Sequence, residues 1–137
     1  MQLNQSSDYA IRCMLYLADH HGFSSSQEIC EAVPIGREFA HKLLRKMRDG
    51  ELVVSEVGKD GGYALAREPS EISLLDIVLL TEDSMQVSRR LECPPIRDLS
   101  SRLEQNLLRF YQVFQDKLET ALGRITLENL LDGNVEE

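Results

Sequence analysis

The chain has 137 residues, of which 42% are hydrophobic, and it carries a formal net charge of −8. This length allows one domain with an extension and a substantial buried core. No apolar run approaches the roughly 18 residues of a membrane span, and the polar start lacks a secretory signal, so we expect a cytoplasmic protein without membrane contact. Three widely separated cysteines without a CxxC pair indicate neither a disulfide framework nor a zinc site.

The negative charge is concentrated in the second half of the chain. Residues 1–67 hold 8 Lys and Arg against 9 Asp and Glu, whereas residues 68–137 hold 7 against 14. Indiscriminate nucleic-acid binding requires Lys and Arg side chains that neutralise phosphates, so the net negative charge argues against it. The stretch from Arg37 to Arg48 is the exception, because it contains five basic residues, a single acidic residue and His41.

A first helix is predicted between Asp8 and His21, where apolar residues recur at helical spacing. Ser6 or Ser7 is the expected N-cap, and Gly22 follows the expected end. The apolar face of this helix includes Cys13, which we expect to be a small core residue.

Two further helices are predicted before residue 50. Ser25-Ser26-Gln27-Glu28 matches a capping box, and the helix that it starts carries Cys30 on its apolar face and stops at Pro34. The third helix runs from Arg37 to Asp49, with its basic side chains opposite an apolar face. That apolar face consists of Phe39, Ala40, Leu43, Leu44 and Met47.

A β-hairpin is predicted after the third helix. The branched apolar residues from Glu51 to Val57 predict one strand, and the segment from Tyr63 to Ala66 predicts the second. Gly58, Gly61 and Gly62 lie between them and permit the positive φ angles of a tight reversal. A phosphate-binding loop would lead from a strand into a helix and carry GxGxxG or GxxxxGK[ST], so nucleotide binding is not indicated.

Two short helices, a turn, a basic third helix and a glycine-tipped hairpin follow the order of a winged helix-turn-helix. The wing residues are then Gly58, Gly61, Gly62 and Tyr63, with Lys59 at the tip approaching a phosphate or the minor groove. The alternative is that the glycines only close the hairpin. From their places on the third helix and the wing, we predict base-edge contacts for Arg37, His41 and Lys42, and phosphate contacts for Arg45, Lys46 and Lys59.

The second half of the chain predicts three more helices. Ser73 and Asp76 start a fourth helix, Leu74 to about Leu80, which is apolar enough to pack on two sides. A long helix from Ile96 to Leu122, ended by Gly123, carries a near-heptad seam, and a short helix capped by Thr126 follows. The seam residues are Leu99, Leu103, Leu107, Phe110, Phe114, Leu118 and Ala121.

The long helix would extend for about 40 Å at 1.5 Å per residue, which is too long for so small a domain to bury. We therefore predict that it forms a homodimer, the alternative being that it folds back on its own subunit. The predicted fold class is mostly α with a small β-hairpin wing. Residues 1–82 would form the winged helix-turn-helix DNA-binding domain, and residues 83–137 the linker, the dimerisation helix and the short C-terminal helix.

The chain resembles the bacterial IscR-like transcriptional regulators, whose relatives include nitric-oxide-sensing and cysteine-metabolism repressors. The resemblance lies in LNQSSDYAIRCMLYLA, QEICEAVPIGREFAHKLLRKMRDGELV, the wing GKDGGYALA, ISLLDIV and ITLENLL. It implies a homodimer on a palindromic operator, with the basic helix in the major groove, the wing alongside, and the long helix crossing to the other subunit.

The chain departs from this family at two places. Many members have an arginine before the first wing glycine, where this chain has Val57 preceded by Glu56, so wing contacts would rest on Lys59 and main-chain N–H groups. Cluster-binding members also carry three cysteines between the fourth helix and the long helix, where this chain has only Cys93, with Ile96 at the place of a histidine.

We therefore expect no iron–sulfur cluster, because such clusters are held mostly by cysteine thiolates. A cluster ligated by Cys93 with Asp8 or His41 is one alternative, and a sensing thiol or an inert thiol at Cys93 are the others.

Enzymatic activity is not predicted. His20, His21 and His41 are the only histidines, and no nucleophile–base or paired-carboxylate arrangement is spaced for catalysis. The predicted function is that of a DNA-binding repressor acting as a homodimer on double-stranded DNA, with an unidentified effector. The alternative is a winged-helix module that binds protein and not DNA, because the net charge of −8 opposes contact with phosphates.

Overall fold

The computed structural model describes residues 2–87 and 100–136. Their architecture is mostly α with a two-stranded antiparallel hairpin, as predicted. The helices are α1 Gln5–His20, α2 Ser26–Ala32, α3 Arg37–Asp49, α4 Leu74–Thr81, α5 Ser101–Arg124 and α6 Leu127–Asp132, with a 3-10 turn at Pro69–Glu71 and strands β1 Val53–Glu56 and β2 Gly62–Leu65. No helix in the described ranges is both long enough and apolar enough to cross a bilayer.

Helix α1 begins earlier than predicted, and its N-cap is Asn4 instead of Ser6 or Ser7. The Asn4 side chain accepts a hydrogen bond from the Ser7 backbone N–H. Its amide also donates to the Thr81 carbonyl oxygen at 2.9 Å, which ties the start of α1 to the end of α4. Ser7 is fully buried inside the helix, where its hydroxyl lies 2.6 Å from the Thr81 hydroxyl and donates to the Glu82 carboxylate.

The predicted bounds of α3 agree with the structure, whereas β1 is shorter than predicted. Gly50 caps the helix, and Glu51 has a φ of 63°, a left-handed conformation that ends the helix and delays the strand to Val53. At the other end, Val57 is fully exposed and lies outside the ladder. Phe39, expected to be buried, is half-exposed and packs edge-on against Tyr9 with ring centroids 5.9 Å apart.

The hairpin is joined to the helical core through Ser24. Val53 pairs with Leu65 and Glu56 with Gly62 in the antiparallel ladder. Ser24 then adds a bridge on the outer side of β2: its N–H donates to the Tyr63 carbonyl at 2.9 Å, and its carbonyl accepts from the Tyr63 N–H at 2.8 Å. The root of the hairpin is therefore fixed to the segment between α1 and α2.

The core is formed by apolar faces of α1, α2, α3, α4 and β1, and α6 closes it from the C-terminal side. Leu127 of α6 is fully buried, and its N–H donates to the Ile72 carbonyl at 3.0 Å. Cys13 is buried as predicted, whereas Cys30 is only half-buried. Helix α4 is buried through Ile77, Val78 and Thr81, but Leu79 is 56% exposed, so the described residues do not pack on both sides of this helix.

The long helix α5 contains 24 residues and begins after the N-cap Ser100. The predicted beginning at Ile96 and the seam residue Leu99 lie outside the described residues. The predicted break at Gly123 is wrong, because the helix continues to Arg124. Gln115 is its one buried residue; its side chain accepts from the Val87 N–H at 2.9 Å and donates to the Met85 carbonyl at 2.8 Å, which holds the linker against the helix.

Candidate nucleic-acid interface

The exposed face of α3 is strongly basic. Ala40, Leu43, Leu44 and Met47 recur every three or four residues and are buried, which fixes the helix on the core. This spacing leaves the charged side chains toward solvent. Arg37, Lys42, Arg45 and Arg48 are exposed, Lys46 is half-buried, and the acidic residues of the helix, Glu38 and Asp49, lie at its ends.

Most of these cations lack an acidic partner in the described part of the chain. Arg48 contacts Asp49 at 3.5 Å. In the ranges 2–87 and 100–136, no carboxylate lies within ion-pair distance of Arg37, Lys42, Arg45, Lys46 or Lys59. Arg45 instead donates from Nε to the His41 carbonyl at 3.3 Å, which orients its guanidinium along the helix. The face thus presents positive charge suited to phosphate and base-edge acceptors.

His41 is the point where α3 meets the hairpin. Its Nδ1 lies 3.3 Å from the Tyr63 hydroxyl, and the two rings are edge-on with centroids 6.2 Å apart. Tyr63 is 9% exposed, and His41 is half-buried. The structure therefore brings together one predicted base-contact residue and one predicted wing residue, which are 22 positions apart.

The glycines of the hairpin have separate roles. Gly58 has a φ of 116° with open space around it, which marks it as the turn residue. A Cβ at Gly61 would clash with the Glu56 carbonyl, and a Cβ at Gly62 would clash with the Ser24 carbonyl, so these two positions need close backbone approach. Lys59 lies between Gly58 and Gly61 and is exposed at the tip of the hairpin.

The bridge to Ser24 was not predicted. Ser24 precedes the α2 capping box and is fully buried, with its hydroxyl lacking a hydrogen-bond partner among the described residues. Ser24 forms the bridge through its backbone N–H and carbonyl groups. Because every residue other than proline carries both groups, the spacing of side chains does not indicate which residue forms such a bridge. No sequence signal would have identified it.

The described residues do not provide a site for an iron–sulfur cluster or another metal. They contain no group of three His, Cys, Asp or Glu side chains that could hold a metal ion. Burial raises the pKa of the Cys13 thiol to about 12, with the neighbouring Cys30 thiol as a second cause, so Cys13 is disfavoured as a thiolate ligand. Asp8, one predicted alternative ligand, instead pairs with Arg12 at 2.9 Å. Cys93 lies outside the described residues.

Comparison with known proteins gives a consistent result. The family model named Rrf2, with the description iron-dependent transcriptional regulator, matches residues 3–133. Protein aau3 of Rhizobium meliloti is 32% identical over 84% of this chain and 80% of its own length. The HTH-type transcriptional regulator NsrR of Shouchella clausii is 33% identical over 64% of this chain and 60% of its own length.

A solved structure also matches nearly the whole chain. The structure of T. potens IscR covers 97% of this chain and 88% of its own, at a TM-score of 0.74 and 26% identity. These likenesses confirm the IscR-like resemblance and the winged-helix fold, and they identify relatives that are transcriptional regulators and not enzymes. The chain belongs to the Rrf2 family of transcriptional regulators.

Proposed function

We propose that this regulator is a repressor that binds a two-fold symmetric operator as a homodimer in the cytoplasm, with α3 in the major groove and the wing beside it. DNA-binding regulation follows from the family. The observation that carries the finer proposal is the exposed basic face of α3, whose cations have no acidic partner among the described residues apart from Arg48. Exposed arginine and lysine side chains bind phosphates more favourably where no carboxylate of the protein competes for them.

Six residues have assigned roles in this proposal. Residues in the first two turns of α3 would reach base edges, as recognition helices do with their N-terminal residues. Residues farther along α3 and at the wing tip would contact phosphates. The base-edge set is Arg37, His41 and Lys42, and the phosphate set is Arg45, Lys46 and Lys59.

The test is fluorescence anisotropy with DNA fragments from upstream of the regulator's own coding region, at two salt concentrations. Lys59→Ala should weaken all sites about equally and lower the salt slope by about 1, whereas Arg37→Ala should cost about 1–3 kcal/mol at one base position. Arg109→Ala, at an exposed position of α5, is the control and should change neither. If the two test variants showed the reverse pattern, the assigned roles would be wrong.

The dimer is supported by an apolar stripe that α5 leaves exposed. Leu103 is 42% exposed, Leu107 37%, Phe110 56% and Val113 45%. The Phe110 and Phe114 rings stack with centroids 6.0 Å apart along this stripe. A contiguous apolar face of this kind marks an interface more often than a free surface. A second copy of the same helix offers a matching stripe.

Charge placed in the stripe tests the dimer. Leu107→Asp combined with Phe114→Asp would place carboxylates in the proposed interface and should give monomers in sedimentation velocity, since burying unpaired charge is costly. Gln105→Asp combined with Gln112→Asp adds the same charge at exposed positions on the other side of α5 and should leave the dimer intact. A soluble dimer in the first double variant would place the interface elsewhere.

We further propose that this regulator carries no iron–sulfur cluster. The support is the donor set: Cys13 is buried in the core and Cys30 lies in α2, which leaves Cys93 as the one remaining thiol. Protein purified without oxygen should be colourless and free of stoichiometric iron and sulfide. Brown protein with stoichiometric iron and sulfide would contradict the proposal that no cluster is bound.

Regulation by the Cys93 thiol is one proposed route for the signal. Loss of operator binding on peroxide treatment, with binding retained in Cys93→Ser, would support it. Unchanged binding after peroxide would leave a small-molecule or protein effector as the regulator's input.

The rival function is a winged-helix module that binds protein, which the net charge of −8 favours. It predicts no binding to any genomic fragment even at low salt. Saturable binding to one fragment, with competition only by the same sequence, would exclude it.

A further inference from the structure

The contact between His41 and Tyr63 fixes a titratable side chain at the centre of the basic face. His41 is the one histidine on α3, and its Nδ1 lies 3.3 Å from the Tyr63 hydroxyl. Within the part of the chain that the structure describes, His41 Nε2 has no hydrogen-bond partner. One ring nitrogen is thus engaged by the protein, and the other is available to a ligand.

Two backbone hydrogen bonds fix the position of Tyr63. Its N–H and carbonyl group both bond to Ser24, at 2.8 and 2.9 Å. The preceding residue, Gly62, has a φ of 133° and packs directly on the Ser24 backbone. The phenol is also nearly buried. Tyr63 therefore presents its hydroxyl to α3 from a rigid support, which is the condition for orienting another side chain.

The chemistry of this pair selects one tautomer of the imidazole. In neutral histidine one ring nitrogen donates and the other accepts. The phenol hydroxyl is the more acidic donor of the pair, and an unprotonated imidazole nitrogen is the more basic acceptor, so the favoured hydrogen bond runs from Tyr63 to His41 Nδ1. The ring proton then resides on Nε2, on the opposite side of the ring.

We propose that Tyr63 is a positioning residue for sequence recognition: it fixes the tautomer and orientation of His41 so that Nε2–H donates to a base acceptor in the major groove. This rests on the proposed function. The recognised group is purine N7, guanine O6 or thymine O4, which are the acceptors that the major groove exposes. The wing thereby contributes to base reading through α3, apart from any contact of its own with DNA.

The tautomer is tested in the free protein, without DNA. Two-bond ¹H–¹⁵N spectra at about pH 8.5, where imidazole side chains are neutral, assign the proton of His41 to one nitrogen. We expect the Nε2–H form in the wild type and a shift toward a mixture of tautomers in Tyr63→Phe, which removes only the hydroxyl. Nδ1–H in the wild type, or an identical His41 signal in Tyr63→Phe, would overturn the positioning role.

Tyr16→Phe is the matched control for this measurement. Tyr16 also lies beside a histidine, with its ring stacked on His20 at 5.4 Å, but no hydroxyl-to-imidazole hydrogen bond joins them among the described residues. Removal of the Tyr16 hydroxyl should leave the His41 signals unchanged. Equal urea midpoints for the wild type and both phenylalanine variants would show that the folds are comparable.

Base reading is tested with every single-base variant of the operator identified by the binding experiment. In the wild type, one position per half-site should discriminate among bases through His41. Tyr63→Phe and His41→Ala should each reduce that discrimination by about two- to tenfold, with an unchanged salt slope. In the His41→Ala background, Tyr63→Phe should add nothing, because the two residues act as one unit.

Each outcome separates this inference from the proposed function. Equal weakening of all sites by Tyr63→Phe would overturn the role in specificity and leave DNA binding standing. Failure of the wild type to bind any DNA would overturn the proposed function and the base-reading role together. The NMR result would still decide whether Tyr63 controls the His41 tautomer.

Discussion

Substitution of Gly62 by alanine tests whether the bridge to Ser24 holds the wing on the core. The added Cβ would clash with the Ser24 carbonyl oxygen and approach the Ser25 nitrogen to 2.9 Å, and both are backbone atoms that no side-chain rotation can move. The bridge must therefore open. Alanine would also have to adopt a φ of 133°, a conformation that L residues rarely take.

Two terms set the magnitude. Backbone strain of this kind costs about 1–3 kcal/mol. Opening the bridge breaks the two backbone hydrogen bonds between Ser24 and Tyr63, at about 1–3 kcal/mol for each bond whose buried groups are left unpaired. Gly58→Ala introduces the first term alone, because Gly58 has a φ of 116° and nothing within 4 Å of the added atom.

The difference between the two variants isolates the bridge. We expect Gly62→Ala to lower the free energy of unfolding by about 2–6 kcal/mol more than Gly58→Ala, a large part of a total of about 5–15 kcal/mol. Urea unfolding followed by circular dichroism measures both values. Gly123→Ala, in α5 with an ordinary φ and no contact closer than 3.6 Å, serves as the control that introduces neither term. Equal destabilisation by Gly62→Ala and Gly58→Ala would refute the reasoning.

Two further predictions concern buried polar and thiol groups. Ser7→Ala removes a fully buried hydroxyl that bonds to Thr81 and Glu82, and should lower the free energy of unfolding by about 1–3 kcal/mol in urea. The Cys13 pKa is raised to about 12, so iodoacetamide at pH 9 should label half-buried Cys30 first and Cys13 only after unfolding. That pKa is higher in the folded state than in the unfolded chain, so the stability that the neutral Cys13 thiol contributes is complete below pH 9.0 and is lost as the pH rises toward about 12. The difference in unfolding free energy between the wild type and Cys13→Ala should therefore shrink over that pH range.

The sequence by itself determined the elements whose signals are local. The bounds of α3 followed from apolar spacing between Gly36 and Gly50, and the cap at Ser25 followed from the hydroxyl and carboxylate three residues apart. Thr126 was also identified as the cap of the short helix α6. The length of the long helix also predicted that one small domain could not cover it, and Phe110 of α5 is 56% exposed. Such patterns depend on neighbours within one or two turns, which the order of residues specifies directly.

Tertiary structure decided the features in which one group has several possible partners. Ser7 has the chemistry of an N-cap, yet its hydroxyl is used by Thr81, 74 positions away, and the cap passes to Asn4. His41 lies on a basic helix face that the sequence located, but only the packing of β2 against α3 brings Tyr63 to its ring. A hydroxyl or an imidazole bonds whichever group the folded chain places within about 3 Å, and that distance is set by the packing of the core and not by spacing along the chain.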